Sequence, residues 1–163
     1  MSHCVLCEAE ATGKSKYCRE HAREARAAWQ LMLQEKSAER ASRVQTFESL
    51  AKQAHAAGMA AGTACIPIPM GVGQPMPDGS VKLIEVVEDG ACGFAWVTIR
   101  PGNSSFSIWA KKAGIASRAY GGGVMVWVGG FNQSMARKEA YARAYAEVLT
   151  AYGIKAYSGS RMD

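Results

Sequence analysis

Apolar positions recur at helical spacing in the first part of the chain and alternate in short runs later, and that change of period divides the sequence. Between Arg19 and Gly62 there is no proline and, before Gly58, no glycine, while Ala, Glu, Arg, Lys and Gln predominate. All five are good helix formers, so this stretch is read as helix, either one long helix or a helical hairpin. Trp29 and Leu33 sit four apart, and Val44, Phe47, Leu50 and Ala54 recur at three- and four-residue spacing, so each end carries an apolar stripe. Gln34 to Arg43 between them is almost wholly polar. It reads as a solvated arm or the loop of a hairpin.

Residues 62 to 80 contain four prolines and four glycines, which punctuate the chain and predict a linker. Beyond it, Val81 to Val87 and Phe94 to Ile99 read as strands, with Glu88-Asp89-Gly90 as the turn of a hairpin joining them. Phe106, Ile108, Trp109 and Ala113 fit a short helix stopped by Gly114, and Val124 to Val128 forms another strand. A second helix starts at Ser134 as N-cap and ends at Gly153, with Tyr141, Tyr145, Val148, Leu149 and Tyr152 along one face; Ile154 to Tyr157 closes as a strand. The order strand, strand, helix, strand, helix, strand predicts an α+β fold with one small mixed sheet. The expected segments are a metal module at 1–26, helix at 27–61, linker at 62–80 and an α+β domain at 81–163.

The cysteines change this picture at the front. Cys4-x2-Cys7 and Cys18-x2-His21 are two close pairs ten residues apart, the spacing with which thiolates and an imidazole complete the tetrahedral sphere of structural zinc. Four protein ligands leave no open position for a catalytic water. Gly13 falls in the intervening loop and a helix starts near Arg19, so the segment resembles treble-clef and short zinc-ribbon modules. Cys65 and Cys92 stand alone among small or apolar neighbours and read as buried free thiols. No apolar run approaches a membrane span or a signal peptide, and the expected location is the cytoplasm.

Net charge is +5, but residues 1–59 hold nine basic and seven acidic side chains and the remainder ten and seven. Neither part is a basic tail, so the charge permits a phosphate partner without requiring one. Lys14, Lys16, Arg19, Arg23 and Arg26 could touch nucleic-acid phosphates, although Glu8, Glu10, Glu20 and Glu24 dilute them.

A second candidate site comes from two strand-to-helix junctions, Arg100-Pro101-Gly102-Asn103-Ser104 and Gly129-Gly130-Phe131-Asn132-Gln133-Ser134. Free N–H groups at a helix start favour anions, and Arg100, Asn103, Ser104, Asn132, Gln133 and Ser134 offer polar partners. If the two strands are neighbours, the junctions share one sheet edge. Arg118 and Tyr120 before the Gly121-Gly122-Gly123 run, and Arg161 near the end, could add a charge or a stacking plane. Ordinary turn and capping chemistry explains each loop equally well. Trp96, Trp109 and Trp127 read as bordering a core. No histidine lies beyond His55, which excludes a histidine-based triad or general base in the second part and favours binding over catalysis.

From about Ala56 onward the chain resembles a family of small proteins of tailed-bacteriophage genomes. The resemblance rests on Cys65-Ile66-Pro67-Ile68-Pro69-Met70, Gly93-Phe94-Ala95-Trp96-Val97, Asn132-Gln133-Ser134, Lys138-Glu139-Ala140-Tyr141-Ala142 and Ala156-Tyr157-Ser158-Gly159-Ser160-Arg161-Met162-Asp163. It implies origin in a phage and host cytoplasm, and carries over no catalytic residue. The leading expectation is a non-catalytic accessory protein that binds a phosphate-bearing ligand, such as a nucleotide signal of host immunity, at the two junctions. The alternatives are a zinc-containing DNA- or RNA-binding protein and a protein that docks on a host enzyme. Self-association through the 19–58 helix and the absence of a membrane partner complete the expectations.

Overall fold

The computed structural model describes residues 3–163. It is α+β, and it divides into two compact units, the first running to Gln45 and the second covering Thr46–Asp163. The division falls inside helix α1, which spans Arg19–Ala64 without a break, so the long helix and not the hairpin is what forms.

In the first unit the chain folds back on itself before α1 begins. Cys4 N–H donates to Ala9 O, Val5 N–H to Lys16 O and Thr12 N–H to Tyr17 O. Gly13 takes a left-handed φ of 62° in the loop between them, a conformation glycine adopts without steric cost. The α1 residues of this unit that form an apolar stripe are exposed: Trp29, Leu31, Met32 and Leu33 all face solvent.

The second unit is built on an antiparallel four-stranded sheet. Its strands β3 (Gly93–Arg100), β4 (Ser117–Arg118), β5 (Val124–Trp127) and β6 (Lys155–Met162) lie in the order β4-β5-β3-β6. Along β3 burial alternates strictly, with Ala95, Val97 and Ile99 fully buried. That inward face joins one core with Val124 and Val126 of β5, with Phe106 and Ala110 of α2 (Ser105–Lys112), and with Tyr141, Tyr145 and Leu149 of α3 (Met135–Ala151). Leu50 and Ala54 of α1 enter the same core. All three helices therefore cover one face of the sheet.

Small residues let α1 approach closely. Ala54, Gly58 and Gly62 are buried at four-residue spacing, and a Cβ at Gly58 would stand 2.7 Å from the Tyr141 ring and one at Gly62 2.3 Å from Phe131. Helix α2 is capped by Ser104, whose Oγ accepts from Ser107 N–H, and Gly114 follows its C-cap at φ 72°. Helix α3 starts at Ser134 and is followed by Gly153 at φ 77°.

Several expectations are corrected. The 62–80 stretch is not only linker: it contains strand β1 (Met70–Pro75), which pairs antiparallel with β2 (Val81–Val87) in a separate ribbon. Gly90 does close a turn, donating to Val87 O, but β2 and β3 do not form a hairpin. The reason lies in their faces. No residue of β2 is buried, whereas β3 has a complete buried row and pairs with the two strands that extend it. Among the described residues there are thus two sheets, and every strand pair is antiparallel, so neither sheet is mixed. Val81, Leu83 and Ile84 of the ribbon are all at least 60% exposed. Cys65 and Cys92 are free thiols but not buried: Cys65 is half-buried, and Cys92 is exposed in the connection that enters β3.

Candidate functional sites: a metal centre and an open sheet face

The first unit brings Cys4, Cys7, Cys18 and His21 together, their ligand atoms all within 4.8 Å of one another. The fold-back carries the first pair, and Cys18, just before α1, and His21, in its opening turn, supply the second. Cys7 Sγ lies 3.8 Å from Cys18 Sγ, and His21 Nδ1 lies 3.4 Å from Cys4 Sγ and 3.3 Å from Cys18 Sγ. Bond lengths of about 2.3 Å to sulphur and 2.0 Å to nitrogen in a tetrahedron give edges of roughly 3.8 Å and 3.5 Å. The donor set therefore fits a four-coordinate metal ion.

The electrostatics are those of a thiolate-imidazole cluster. Burial pushes the Cys4 thiol up, but backbone N–H groups of Cys18 and Leu6 and the His21 ring favour its thiolate more, leaving it at about 6. The Cys4 sulphur in turn raises His21, partly offset by desolvation. Backbone at Ala9 favours a Cys7 thiolate, yet desolvation and the neighbouring sulphurs of Cys18 and Cys4 outweigh it and raise Cys7. Crowding of this kind is relieved when one cation holds all the ligands deprotonated. Lys14, Lys16, Arg19, Arg23 and Arg26 are exposed, but so are Glu8, Glu10, Glu20 and Glu24.

The two strand-to-helix junctions do not converge. Because β3 and β5 are antiparallel, Arg100 ends β3 beside Val124, whereas β5 delivers Gly129–Ser134 to the opposite end, beside Gly93. Seven residues of strand separate the two ends, roughly 24 Å. Arg100, Asn103 and Ser104 share one end with Arg118, Tyr120 and the triglycine loop: Arg100 Nη2 donates to Gly121 O at 3.2 Å, and a Cβ on Gly102 would lie 3.1 Å from Gly123 Cα. Asn132, Gln133 and Ser134 share the other end with Arg161, which pairs with Phe94.

Both loops also spend polar groups on themselves. Ser104 Oγ donates to Ser107 Oγ, which donates to Pro101 O. Ser134 is 1% exposed, and its Oγ donates to Asp89 O at 2.7 Å instead of capping α3. Gly93 N–H donates to Gln133 O, and Met135 N–H, at the start of α3, donates to Ala91 O. Phe131 and Asn132 hold left-handed φ values of 65° and 50° to make this turn. Asn103, Asn132, Arg118 and Tyr120 remain exposed, Tyr120 completely.

A different surface gathers the stacking and charged groups. On β3 the residues alternating with the buried row are Phe94, Trp96, Thr98 and Arg100. Residues directly opposite in an antiparallel sheet share a face. Trp127 lies opposite Trp96 on β5, while Arg161, Gly159, Tyr157 and Lys155 of β6 lie opposite Phe94, Trp96, Thr98 and Arg100. The face turned away from the helices thus carries four aromatic residues and three cations, and strands β3, β5 and β6 contain no Asp or Glu.

The rings are arranged across the sheet. Trp96 and Trp127 are nearly parallel, at 8° and 6.1 Å between centroids, and Phe94 lies 5.5 Å from Trp127. A Cβ at Gly159 would meet three atoms of the Trp96 indole at 2.7 to 3.1 Å, so that ring lies over the glycine. Only glycine permits that approach. Arg161 stands 5.4 Å from the Phe94 centroid, Trp127 is 48% exposed and Tyr157 is 57% exposed. Of the tryptophans read as bordering a core, Trp109 packs against it, while Trp96 and Trp127 lie on the outer face.

Comparison with family models, with curated proteins and with solved structures finds no match to this chain. No helix among the described residues is long and apolar enough to cross a membrane.

Proposed function

We propose that the protein binds single-stranded nucleic acid on the open face of its four-stranded sheet, and that zinc is the ion held by Cys4, Cys7, Cys18 and His21. The observation that carries the reading is the row of Phe94, Trp96, Trp127 and Tyr157 flanked by Arg100, Lys155 and Arg161, with no carboxylate on the strands of that face. Unpaired bases stack on exposed aromatic rings of a sheet, and cations beside them neutralise the connecting phosphates. Duplex has no unstacked base to offer such a face.

The reading keeps a phosphate-bearing partner and the expected contributions of Arg100 and Arg161, but moves them from two helix starts to one surface. The phage accessory role and the absence of catalysis stay with it as proposals. Zinc serves the first unit as a staple, since three thiolates and an imidazole form the closed donor set of structural sites.

The test is fluorescence anisotropy with a short labelled oligothymidine across a salt series. Three phosphate contacts predict a slope of log affinity against log salt of about −2. No binding at low salt, or equal binding of duplex and single strand, would count against the proposal.

A further inference from the structure

The helix-covered side of the second unit contains a groove of about 570 Å³ between α1, the end of β5 and α3. This lies within the range of about 300–1,000 Å³ typical of small-molecule sites. Its walls are mainly apolar, with the aromatic rings of Trp109, Phe131, Tyr141 and Tyr145 among them. Two of its polar atoms are spent on each other, His55 Nδ1 and Tyr141 Oη at 2.7 Å.

Tyr145 is different. It is 2% exposed, its ring stacks on Tyr141 at 5.8 Å and 28°, and its hydroxyl has no hydrogen-bond partner among the described residues. The oxygen is not among the fully enclosed unpaired atoms, so the little exposure that Tyr145 keeps leaves its hydroxyl reachable. Burial and the neighbouring Tyr141 push Tyr145 up to about 12, so its hydroxyl stays a protonated donor well above neutral pH. At the rim, Glu48 and Lys52 are four residues apart on α1 and opposite in charge, which selects neither an anion nor a cation.

We infer that this groove binds a neutral mono- or bicyclic aromatic molecule bearing a carbonyl or ring-nitrogen acceptor, which takes the Tyr145 hydroxyl as its donor. Aromatic walls suit a flat ring in offset or edge-on contact, and the Tyr145 hydroxyl sets its orientation. The groove shares Trp127 with the open sheet face, but Tyr145 belongs to the helix-covered side, so the inference stands whether or not that face binds nucleic acid.

Calorimetry with two probes of matched shape, quinolin-2-one and naphthalene, tests the inference. Wild-type protein should bind quinolin-2-one about tenfold more tightly than naphthalene, the effect of one hydrogen bond. Tyr145→Phe should erase that preference while leaving naphthalene affinity unchanged, and Ala113→Trp, which fills the groove from its wall, should weaken both. Circular dichroism checks that each variant is folded. Failure of both probes to bind, equal affinities in wild type, a preference that survives Tyr145→Phe, or indifference to Ala113→Trp would overturn it.

Discussion

Replacing Gly58 by alanine sets two opposed effects against each other. Gly58 lies inside α1, where alanine is favoured over glycine by about 1 kcal/mol. The new methyl, however, would stand 2.7, 2.8 and 3.0 Å from three atoms of the Tyr141 ring. The ring has little freedom to retreat. Tyr141 is 6% exposed, its hydroxyl is bonded to His55, and Tyr145 and Phe131 pack on it at 5.8 and 6.2 Å. Overpacking of this kind costs about 1–3 kcal/mol, so the clash outweighs the helix gain and Gly58→Ala should destabilise the second unit by about 1 kcal/mol. Urea denaturation followed by tryptophan fluorescence measures the change. The decisive comparison is the same substitution in a Tyr141→Leu background, where the flat ring is gone and alanine should stabilise by about 1 kcal/mol. Stabilisation in the wild-type background would refute the packing argument.

Other outcomes follow from the same contacts. Ser107 is fully buried and links Ser104 to Pro101, so Ser107→Ala should cost about 1–2 kcal/mol in urea melts while oligonucleotide affinity is unchanged. Tyr145 remains protonated in the folded protein up to about 12, whereas an unfolded tyrosine ionises near 10. Above about pH 10 the unfolded chain therefore loses a proton that the folded one keeps. Stability should fall by up to about 3 kcal/mol as the pH rises from 10 to 12, and Tyr145→Phe should flatten that decline in alkaline denaturation curves. Chelation should abolish hydrogen-exchange protection in peptides covering Cys4 to His21 and leave those covering β3 and α3 protected. One zinc per chain by atomic absorption is the matching stoichiometry, and Cys18→Ser should lose it.

Readable features of the sequence were those whose causes are local. Cys4, Cys7, Cys18 and His21 span one short segment, so their spacing alone pointed to the cluster they form. Ser134 marked the start of α3, although its hydroxyl bonds Asp89 O and does not cap the helix, Gly153 marked its end through left-handed backbone, and Phe94 to Ile99 declared a strand through its alternation. That alternation also held the outer face: aromatic Phe94 and Trp96 occupy one parity, and Ala95, Val97 and Ile99 the other. A parity reading would have separated Trp96 from the core.

Pairing was not readable, because it depends on residues far apart. The Gly90 turn is real, but the partner of β3 is chosen by which strands extend its buried row, and β2 has none to offer. Strand β1 was hidden by Gly71, Gly73 and Pro75, residues that usually mark loops. The antiparallel register then parted the two junctions that a parallel arrangement would have joined. Tyr145 as an unpartnered donor required knowing what surrounds its hydroxyl, which no spacing shows.

The central claim is that bases stack on Trp127 while Arg161 meets phosphate, and these contributions respond differently to salt. The most direct measurement is the affinity of wild type, Trp127→Ala and Arg161→Ala for one labelled single strand at low and at moderate salt. Loss of a stacked base costs about 1–3 kcal/mol, so Trp127→Ala should weaken binding at least fivefold by the same factor at both salts. Arg161→Ala should weaken it more at low salt than at moderate salt, reducing the salt slope by about 0.7. Unchanged affinity in Trp127→Ala, with folding intact, would contradict the account.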